Sequence, residues 1–238
     1  MLVYPDMHRA FRLNLDKSSS LVGNPDFLPE EIDFWLNEAQ ERFVKQRVFG
    51  NNLRKEALEQ GQKRVDDLKT LICTYYGTSL SASSLGSNVK ETLIPVSATA
   101  PYLFYLDSAL HGSVTSNVLQ CGQVISTKDL SKYVADSINT PYIRRPLVYF
   151  YNSVGTNANQ TIAFIYSSEF VPYTVDITYI KKPKVLTYTT VSGYQTNTPD
   201  LPEETHKEIV NLAVQLVIEN IESSRVQTFP SLNASNIE

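Results

Sequence analysis

The stretch LPEETHKEIVNLAVQLVIENIESSR, residues 201–225, decides how we interpret this chain. Pro202 suits the first position of a helix, where a missing N–H loses no partner, and Glu203 and Glu204 suit the positive end of the helix dipole. The apolar residues cover most of the circumference, so the polar stripe is narrow and consists of Asn211, Gln215, Glu219 and Glu222. A surface helix has a wider polar face. We therefore expect this helix to be covered, either by its own domain or by a neighbouring copy.

The same Leu-Pro-Glu-Glu start recurs at residue 28 and opens a second amphipathic helix. Its apolar residues repeat at i, i+3, i+4, i+7 and i+11, so they share one face of the helix. They are Ile32, Trp35, Leu36, Ala39 and Phe43. Gly50 ends this helix, and a thinner, more charged helix is predicted over residues 53–71 as its partner in an αα-hairpin. Both ends of the chain therefore form one helical body, from residues 28–74 and 200–226.

Residues 75–199 have another pattern, an alternation with period two that is interrupted by Gly, Pro, Asn and Ser, as is typical of strands. Strands are predicted over residues 92–97, 102–106, 116–125, 147–152, 161–167 and 175–180, after a polar connection over residues 75–87. One short helix is predicted near residues 128–137, with Leu130, Tyr133 and Val134 on one face. The predicted fold class is α+β: a helical body, formed by an N-terminal helical hairpin and a long C-terminal helix, with an inserted antiparallel β-sandwich or barrel-like domain.

The two ends of the chain are interpreted differently. Residues 1–27 show no helical or strand period over their length, and we interpret them as an extended arm. Its apolar side chains include Met7, Phe11, Leu13 and Leu15. Such a segment gains more stability by binding to a preformed groove than by folding alone. On this hypothesis, removing residues 1–20 leaves the protein folded but impairs its assembly. Residues 227–238 are expected to be a flexible tail.

Composition excludes some classes of protein. The chain is 42% hydrophobic and 19% charged, which is sufficient for a packed core. Its net charge of −4 disfavours a protein that wraps nucleic acid. We expect neither a secretory signal nor a transmembrane segment. Cys73 and Cys121 are the two cysteines, and we expect them to be unpaired thiols in a reducing compartment.

The residues that could carry chemistry form no recognisable constellation. The three histidines lie in distant segments, and the motifs GxSxG, HExxH, CxxC and the P-loop are missing. Asp66 and Asp67 are neighbours that point about 100° apart on a helix, so they do not form an acid/base couple. We expect both on a solvated face. The carboxylates of the insert remain open candidates that no pattern selects: Asp107, Glu169 and Asp176. We expect no enzyme activity, no cofactor and no metal.

Two basic pairs flank predicted strands, Arg144-Arg145 before one and Lys181-Lys182 after another. Such pairs could hold phosphate or the carboxylates of a partner protein, and an ordinary charged rim is the alternative that we favour. Aromatic residues are not interleaved with them as in a stacking platform for single-stranded nucleic acid. The candidate interface residues are thus the four apolar arm residues together with Arg144, Arg145, Lys181 and Lys182.

Five stretches taken together resemble one family: MHRAFRLNLDKSSS (7–20), LPEEIDFWLNEAQERFVKQRVFG (28–50), QKRVDDLKTLI (62–72), VDITYIKKPKV (175–185) and DLPEETHKEIVNLAVQLVIENIESSR (200–225). The chain resembles the neck proteins of tailed bacteriophages, which are head-to-tail connector or adaptor ring proteins, and most closely those of crAss-like podoviruses. The resemblance covers most of the chain in order, and residues 75–146 are its least distinctive part.

This resemblance implies a non-enzymatic structural protein of the virion neck or tail, assembled in the host cytoplasm. It implies a homo-oligomeric ring, commonly twelve-fold, between the portal protein and the tail. Such a ring lines or closes the DNA channel and docks adjacent ring or tail proteins, while double-stranded DNA passes without sequence-specific binding and no membrane is involved.

A function of another class stays open. Tyrosine-rich β-domains often bind sugars, and this chain has 14 tyrosines. The alternative is therefore a carbohydrate- or peptidoglycan-directed tail module, either binding or hydrolytic. A convergent aromatic-and-carboxylate cleft in a monomer would favour it, and a cyclic oligomer would favour the connector.

Overall fold

The structure is a computed structural model of the 238-residue chain, and it describes residues 4–18, 27–49, 61–94, 100–112, 118–135, 141, 144–152, 160–187 and 199–220. The chain divides into two compact units. The helical unit comprises Met1–Leu71 and Pro183–Glu238, and the β unit comprises Ile72–Lys182. The sequence-based prediction of an α+β fold with an inserted sheet domain is confirmed.

The described elements follow one another along the chain. The helices are α1 (Tyr4–Ser18), α2 (Pro29–Phe49), α3 (Gln62–Leu68), α4 (Thr127–Ala135) and α5 (Glu203–Asn220). The strands are β1 (Ile72–Ser79), β2 (Ser81–Ala82), β3 (Val89–Leu93), β4 (Tyr102–Gly112), β5 (Val118–Gln120), β6 (Gln123–Val124), β7 (Leu147–Asn152), β8 (Gln160–Ile165) and β9 (Pro172–Lys181). Among the described helices, none has the length and apolar character needed to cross a membrane.

Helices α1, α2 and α5 form the core of the helical unit. The start signal of α2 acts as expected, because the Glu31 carboxylate accepts a 2.9 Å hydrogen bond from the Leu28 N–H and closes the first turn. Helix α5 packs against both α1 and α2. Its buried residues are Thr205, His206, Ile209, Val210, Leu212, Ala213, Val214, Val217 and Ile218. The cover that this apolar helix requires therefore comes from its own unit.

The expectation of an extended amino-terminal arm is wrong for residues 4–18, which form α1. Met7, Phe11 and Leu15 are spaced by four residues, and this spacing places them on one helix face. That face is buried, with relative exposures of 0%, 0% and 4%. The period is difficult to recognise because only three apolar residues show it. Residues 1–3 and 19–26 lie outside the described residues.

Other predicted boundaries moved. Residues 75–87, predicted as a polar connection, contain most of β1 and all of β2, so that prediction is wrong. Threonine and tyrosine favour strands even where hydroxyl groups dominate the composition. The predicted helix over residues 53–71 is described only as α3, since residues 51–60 lie outside the described part. The predicted tail, residues 227–238, also lies outside it.

Two sheets build the β unit, with strand orders β1-β9-β4-β5 and β2-β3-β8-β7-β6. All pairings are antiparallel except that of β6 with β7. One apolar cluster joins both sheets, since Leu110 and Ile177 of the first belong to it together with Val148 and Phe164 of the second. A second cluster packs the short helix α4 against the five-stranded sheet. The insert is therefore a two-layered sandwich with one helix on its larger sheet.

Candidate functional site

The four predicted arm residues fall into two groups. Met7, Phe11 and Leu15 are buried in the helical unit, whereas Leu13 is 49% exposed. Three of the four therefore stabilise the helical unit, and their predicted role on the surface of a partner does not suit this arrangement. Leu13 remains a candidate contact residue.

Two buried or half-buried polar contacts fix α1 on its neighbours. His8 Nε2 lies 2.8 Å from Asp33 Oδ1 of α2, and both side chains are buried. Asn14 Nδ2 donates a 3.1 Å hydrogen bond to Asn211 Oδ1 of α5. Burying a polar group costs free energy unless it has a hydrogen-bond partner. These contacts therefore favour one position of α1 on the helical unit.

Arg47, near the end of α2, joins three helices. Its Nε lies 3.0 Å from Asp67 Oδ2 of α3, and its Nη2 donates a 2.5 Å hydrogen bond to Glu208 Oε2 of α5. Lys63 Nζ approaches the other oxygen of Glu208 at 3.5 Å. The guanidinium also lies 4.7 Å from the centre of the Phe43 ring. Two cations and two carboxylates thus meet where the three helices converge.

This Arg47 cluster corrects one expectation from the sequence. Asp66 is exposed as predicted, but Asp67 is buried and the prediction of a solvated face is wrong for it. Burial raises the pKa of the Asp67 carboxyl above its ordinary value of 3.8, against the opposing charge of Arg47. Burial likewise raises the pKa of Glu208 above 4.5. Desolvation therefore outweighs attraction, which is typical of buried ion pairs whose role is to fix geometry.

The structure places the two basic pairs at different positions of the β unit. Arg144 and Arg145 are exposed, and Arg145 packs closely against Gly122, in the connection between β5 and β6. Lys182 is exposed, and its N–H donates a 2.7 Å hydrogen bond to the Pro101 carbonyl just before β4, while Lys181 is partly buried. Their predicted contacts with a partner stay a prediction.

A further cluster was missed by the sequence analysis. The Oδ2 atom of Asp176, on β9, lies 2.8 Å from Nε2 of His111, on β4. Its Oδ1 atom accepts a 2.8 Å hydrogen bond from the N–H of Gly77, on β1. Gly77 has φ +67° and lies where the register of β1 shifts between Tyr75 and Thr78. Tyr76, the preceding residue, is 76% exposed. One imidazole and one carboxylate therefore lie together on the sheet, and the exposed Tyr76 is next in sequence to the glycine that binds the carboxylate.

The chemistry of this cluster follows from its hydrogen bonds. Asp176 has both oxygens engaged, and a neutral His111 that donates through Nε2 keeps Nδ1 as an acceptor. A catalytic Asp–His pair also needs a nucleophile beside the imidazole. The nearby hydroxyls of Thr74 and Thr178 contact each other at 3.1 Å instead. The arrangement thus suits the binding of a polar group better than nucleophilic catalysis.

Sequence patterns contain little signal for this cluster. Asp176 was one of several carboxylates in the insert that no pattern distinguished. His111 lies opposite Thr174 in the β4–β9 register, which makes Asp176 its diagonal neighbour. Because this register depends on bulges in both strands, spacing along the chain cannot predict the pair.

The partly buried thiol of Cys121 lies in surroundings that disfavour its ionised form. Burial raises its pKa to about 12, despite a hydrogen bond with Ser108 that favours the thiolate. Tyr105 shares this environment, since its hydroxyl lies 2.7 Å from Ser108 Oγ. A thiol with such a pKa is protonated at neutral pH and is a poor nucleophile. Cys121 packs against the apolar cluster that joins the two sheets.

No model of a protein family matches this chain, and a search of curated proteins gives no significant match. The described residues also contain no group of three or more His, Cys, Asp or Glu side chains placed to hold a metal ion. The resemblance to phage neck proteins therefore depends on the five sequence stretches alone.

Proposed function

We propose that this chain is a structural virion protein of a tailed phage that forms a homo-oligomeric ring in the neck, between portal and tail. The observation that carries the proposal is the edge strand β1 of the β unit, where Tyr75 is 48% and Tyr76 is 76% exposed. This strand contains no charged residue. Soluble proteins usually protect edge strands with charge, proline or a bulge. Strand β1 has a register shift between Tyr75 and Thr78 but no charge, so its exposed tyrosines favour an interface with another chain.

The architecture supports the same proposal in a general way. A helical unit with an inserted β-sandwich is what the resemblance to connector proteins implies. Helix α5 does not support assembly, because its own unit covers its apolar surface. We assign three surfaces to contacts with neighbouring subunits, the portal and adjacent ring or tail proteins. They are the β1 edge, Leu13 and the two basic pairs. The net charge of −4 suits a channel that DNA passes without sequence-specific binding.

Imaging tests this proposal directly. Cryo-electron microscopy of virions that contain the chain should show a closed ring of identical copies below the portal. Each contact between neighbours should bury more than about 1,000 Å² in total. A neck with one isolated copy, or virions without the protein, would reject the proposal.

A matched pair of variants tests the surface that carries it. Tyr75→Lys combined with Tyr76→Lys adds charge to the edge and should prevent incorporation into the neck while the protein stays folded. Val185→Lys changes a residue that is 57% exposed in the helical unit and should assemble normally. Equal incorporation of both would remove the β1 edge from the proposed interface.

One observation favours the second candidate, a carbohydrate- or peptidoglycan-directed module. The exposed ring of Tyr76 lies next in sequence to Gly77, which binds Asp176, and sugars are commonly held by a stacked ring with polar groups beside it. Calorimetry with soluble peptidoglycan fragments tests this candidate. Binding that Tyr76→Ala abolishes and Tyr173→Ala, at another exposed tyrosine, leaves unchanged would support it. No binding by the wild type would reject it.

A further inference from the structure

Strand β1 of the smaller sheet, strand β2 and the end of strand β3 of the larger sheet lie close together at one place in the β unit. A groove of about 480 Å³ lies there. None of its eight lining residues is charged, and its larger apolar members are Tyr75, Leu80, Leu93 and Ile94. Tyr75 and Leu93 are nearly half exposed, whereas Ile94 forms the buried floor. The other four lining residues have hydroxyl groups, so the groove combines apolar surface with uncharged polar groups.

Among the described strands, none pairs with the outer side of β1, which lies beside this groove. Strand β1 pairs with β9 on one side and is the terminal strand of its sheet. Tyr75 and Thr78 pair with Ile177 and Val175, two residues of the core between the sheets, so their side chains point to the inner face. A strand added to β1 would therefore direct alternate side chains into the groove. Strand addition of this kind takes affinity from main-chain hydrogen bonds and selectivity from side-chain pockets.

The occupant of such a groove must be extended, uncharged and apolar at some alternate positions, because a buried unpaired charge is costly. The chain itself has such a segment after α5. Residues 226–237, VQTFPSLNASNI, contain no charge, and the first four favour extended structure. Pro230 suits the end of an added strand, since it cannot donate to a ladder. Phe229 is the ninth residue after the end of α5, so an extended chain can place it up to roughly 30 Å from that end.

We propose that residues 226–229 of one copy add as a strand to the β1 edge of a second copy, with Phe229 in the groove. The inference rests on the proposed ring and names the contact that joins neighbouring copies. Within a ring the tail of each neighbour is also held at high effective concentration, which strengthens the contact beyond its affinity between free molecules.

A complementation experiment with two full-length variants tests the contact. Phe229→Asp disables the tail and leaves the groove intact, while Leu93→Asp charges the groove and leaves the tail intact. Each variant alone should associate at least about tenfold more weakly than the wild type in sedimentation velocity. An equimolar mixture should form one-to-one pairs, because it restores one functional tail and one functional groove. Circular dichroism checks that both variants are folded.

A labelled peptide of residues 225–232 tests docking without any ring. It should bind the full-length Phe229→Asp chain, and Leu93→Asp added to that chain should weaken binding at least about tenfold. If the peptide binds but the wild type forms no ring, the proposed contact is supported and the proposed ring is rejected. Rings formed by both variants would keep the connector function and reject this contact. A peptide that does not bind, or a tail that fills the groove of its own chain, would overturn the inference.

Discussion

The guanidinium of Arg47 lies 2.5 Å from the carboxylate of Glu208, across the contact between α2 and α5. The two side chains are only 7% and 19% exposed. The amino-terminal and carboxyl-terminal parts of the helical unit are therefore joined by charge as well as by apolar packing. A buried pair of this kind contributes little net stability, but removing one partner leaves the other charge buried and uncompensated.

Arg47→Met should destabilise the protein by about 3–5 kcal/mol. The variant keeps the aliphatic stem but leaves the carboxylates of Asp67 and Glu208 without their buried cation. Urea unfolding followed by the fluorescence of Trp35, the single tryptophan, which lies on α2, measures the effect in this unit. The loss should appear as a lower midpoint with an unchanged slope.

The matched control is Arg42→Met on the same helix. Arg42 is 45% exposed and lies 3.9 Å from Glu219, so its ion pair is screened by water. This variant should lose less than about 1 kcal/mol. Similar losses in the two variants would mean that the buried position of Arg47 has no special role.

Glu208 should make stability depend on pH in a defined direction. Burial raises the pKa of its carboxyl above the ordinary value of 4.5, and the charges of Arg47 and Lys63 oppose that shift only in part. The folded chain therefore retains this proton at pH values where the unfolded chain has released it. The resulting stability is fully present below about pH 4.5 and is lost as the pH rises through the folded-state pKa.

Glu208→Gln removes this dependence while keeping the shape of the side chain. The free energy of unfolding of the wild type, minus that of the variant, should therefore fall as the pH rises above about 4.5. Urea unfolding of both proteins in steps of pH between about 4 and 7 measures the difference. A difference that stays level or rises over this interval would contradict the burial of Glu208.

Cys121 should react slowly with thiol reagents in the folded protein. Its pKa of about 12 leaves a very small thiolate fraction at pH 8. In a Cys73→Ser background, which leaves Cys121 as the single thiol, reaction should be roughly 100- to 1,000-fold slower than in the same chain unfolded by urea. Comparable rates in the two states would show that the thiol is accessible and ionised.

The helices with local start signals were predictable from the sequence. The Leu-Pro-Glu-Glu signals and apolar periods identified α2 and α5, because capping and dipole effects act within one turn. Strand β7 was predicted with the bounds that the structure has. Helix α1 was missed because only three buried residues show its period. Strand β1 was missed because its exposed tyrosines and threonines resemble a polar connection.

The polar sites were not predictable, for a different reason. Arg47, Asp67 and Glu208 are far apart in sequence, and only the packing of three helices brings them together. Asp176 and His111 meet through a strand register that bulges adjust. Local patterns describe one element at a time, whereas each of these contacts joins different elements.

Two substitutions in helix α1 test whether this helix belongs to the core of the helical unit. Phe11 is fully buried and meets the ring of Phe27 edge-on at 6.1 Å, whereas Leu13 is 49% exposed two residues later. Phe11→Ala should cost about 3–5 kcal/mol, because it removes a buried ring and leaves a cavity. Leu13→Ala should change stability by no more than about 0.5 kcal/mol, since both residues are on the same helix but only one is enclosed.

The same pair distinguishes α1 from a segment that docks only on a partner. If α1 belonged to an assembly surface, both variants would unfold like the wild type and differ only in assembly. If α1 belongs to the core, Phe11→Ala lowers the urea midpoint of the isolated chain, and removing residues 1–18 destabilises the helical unit instead of leaving it intact. Because Met7, Phe11 and Leu15 are at most 4% exposed, we expect the second result.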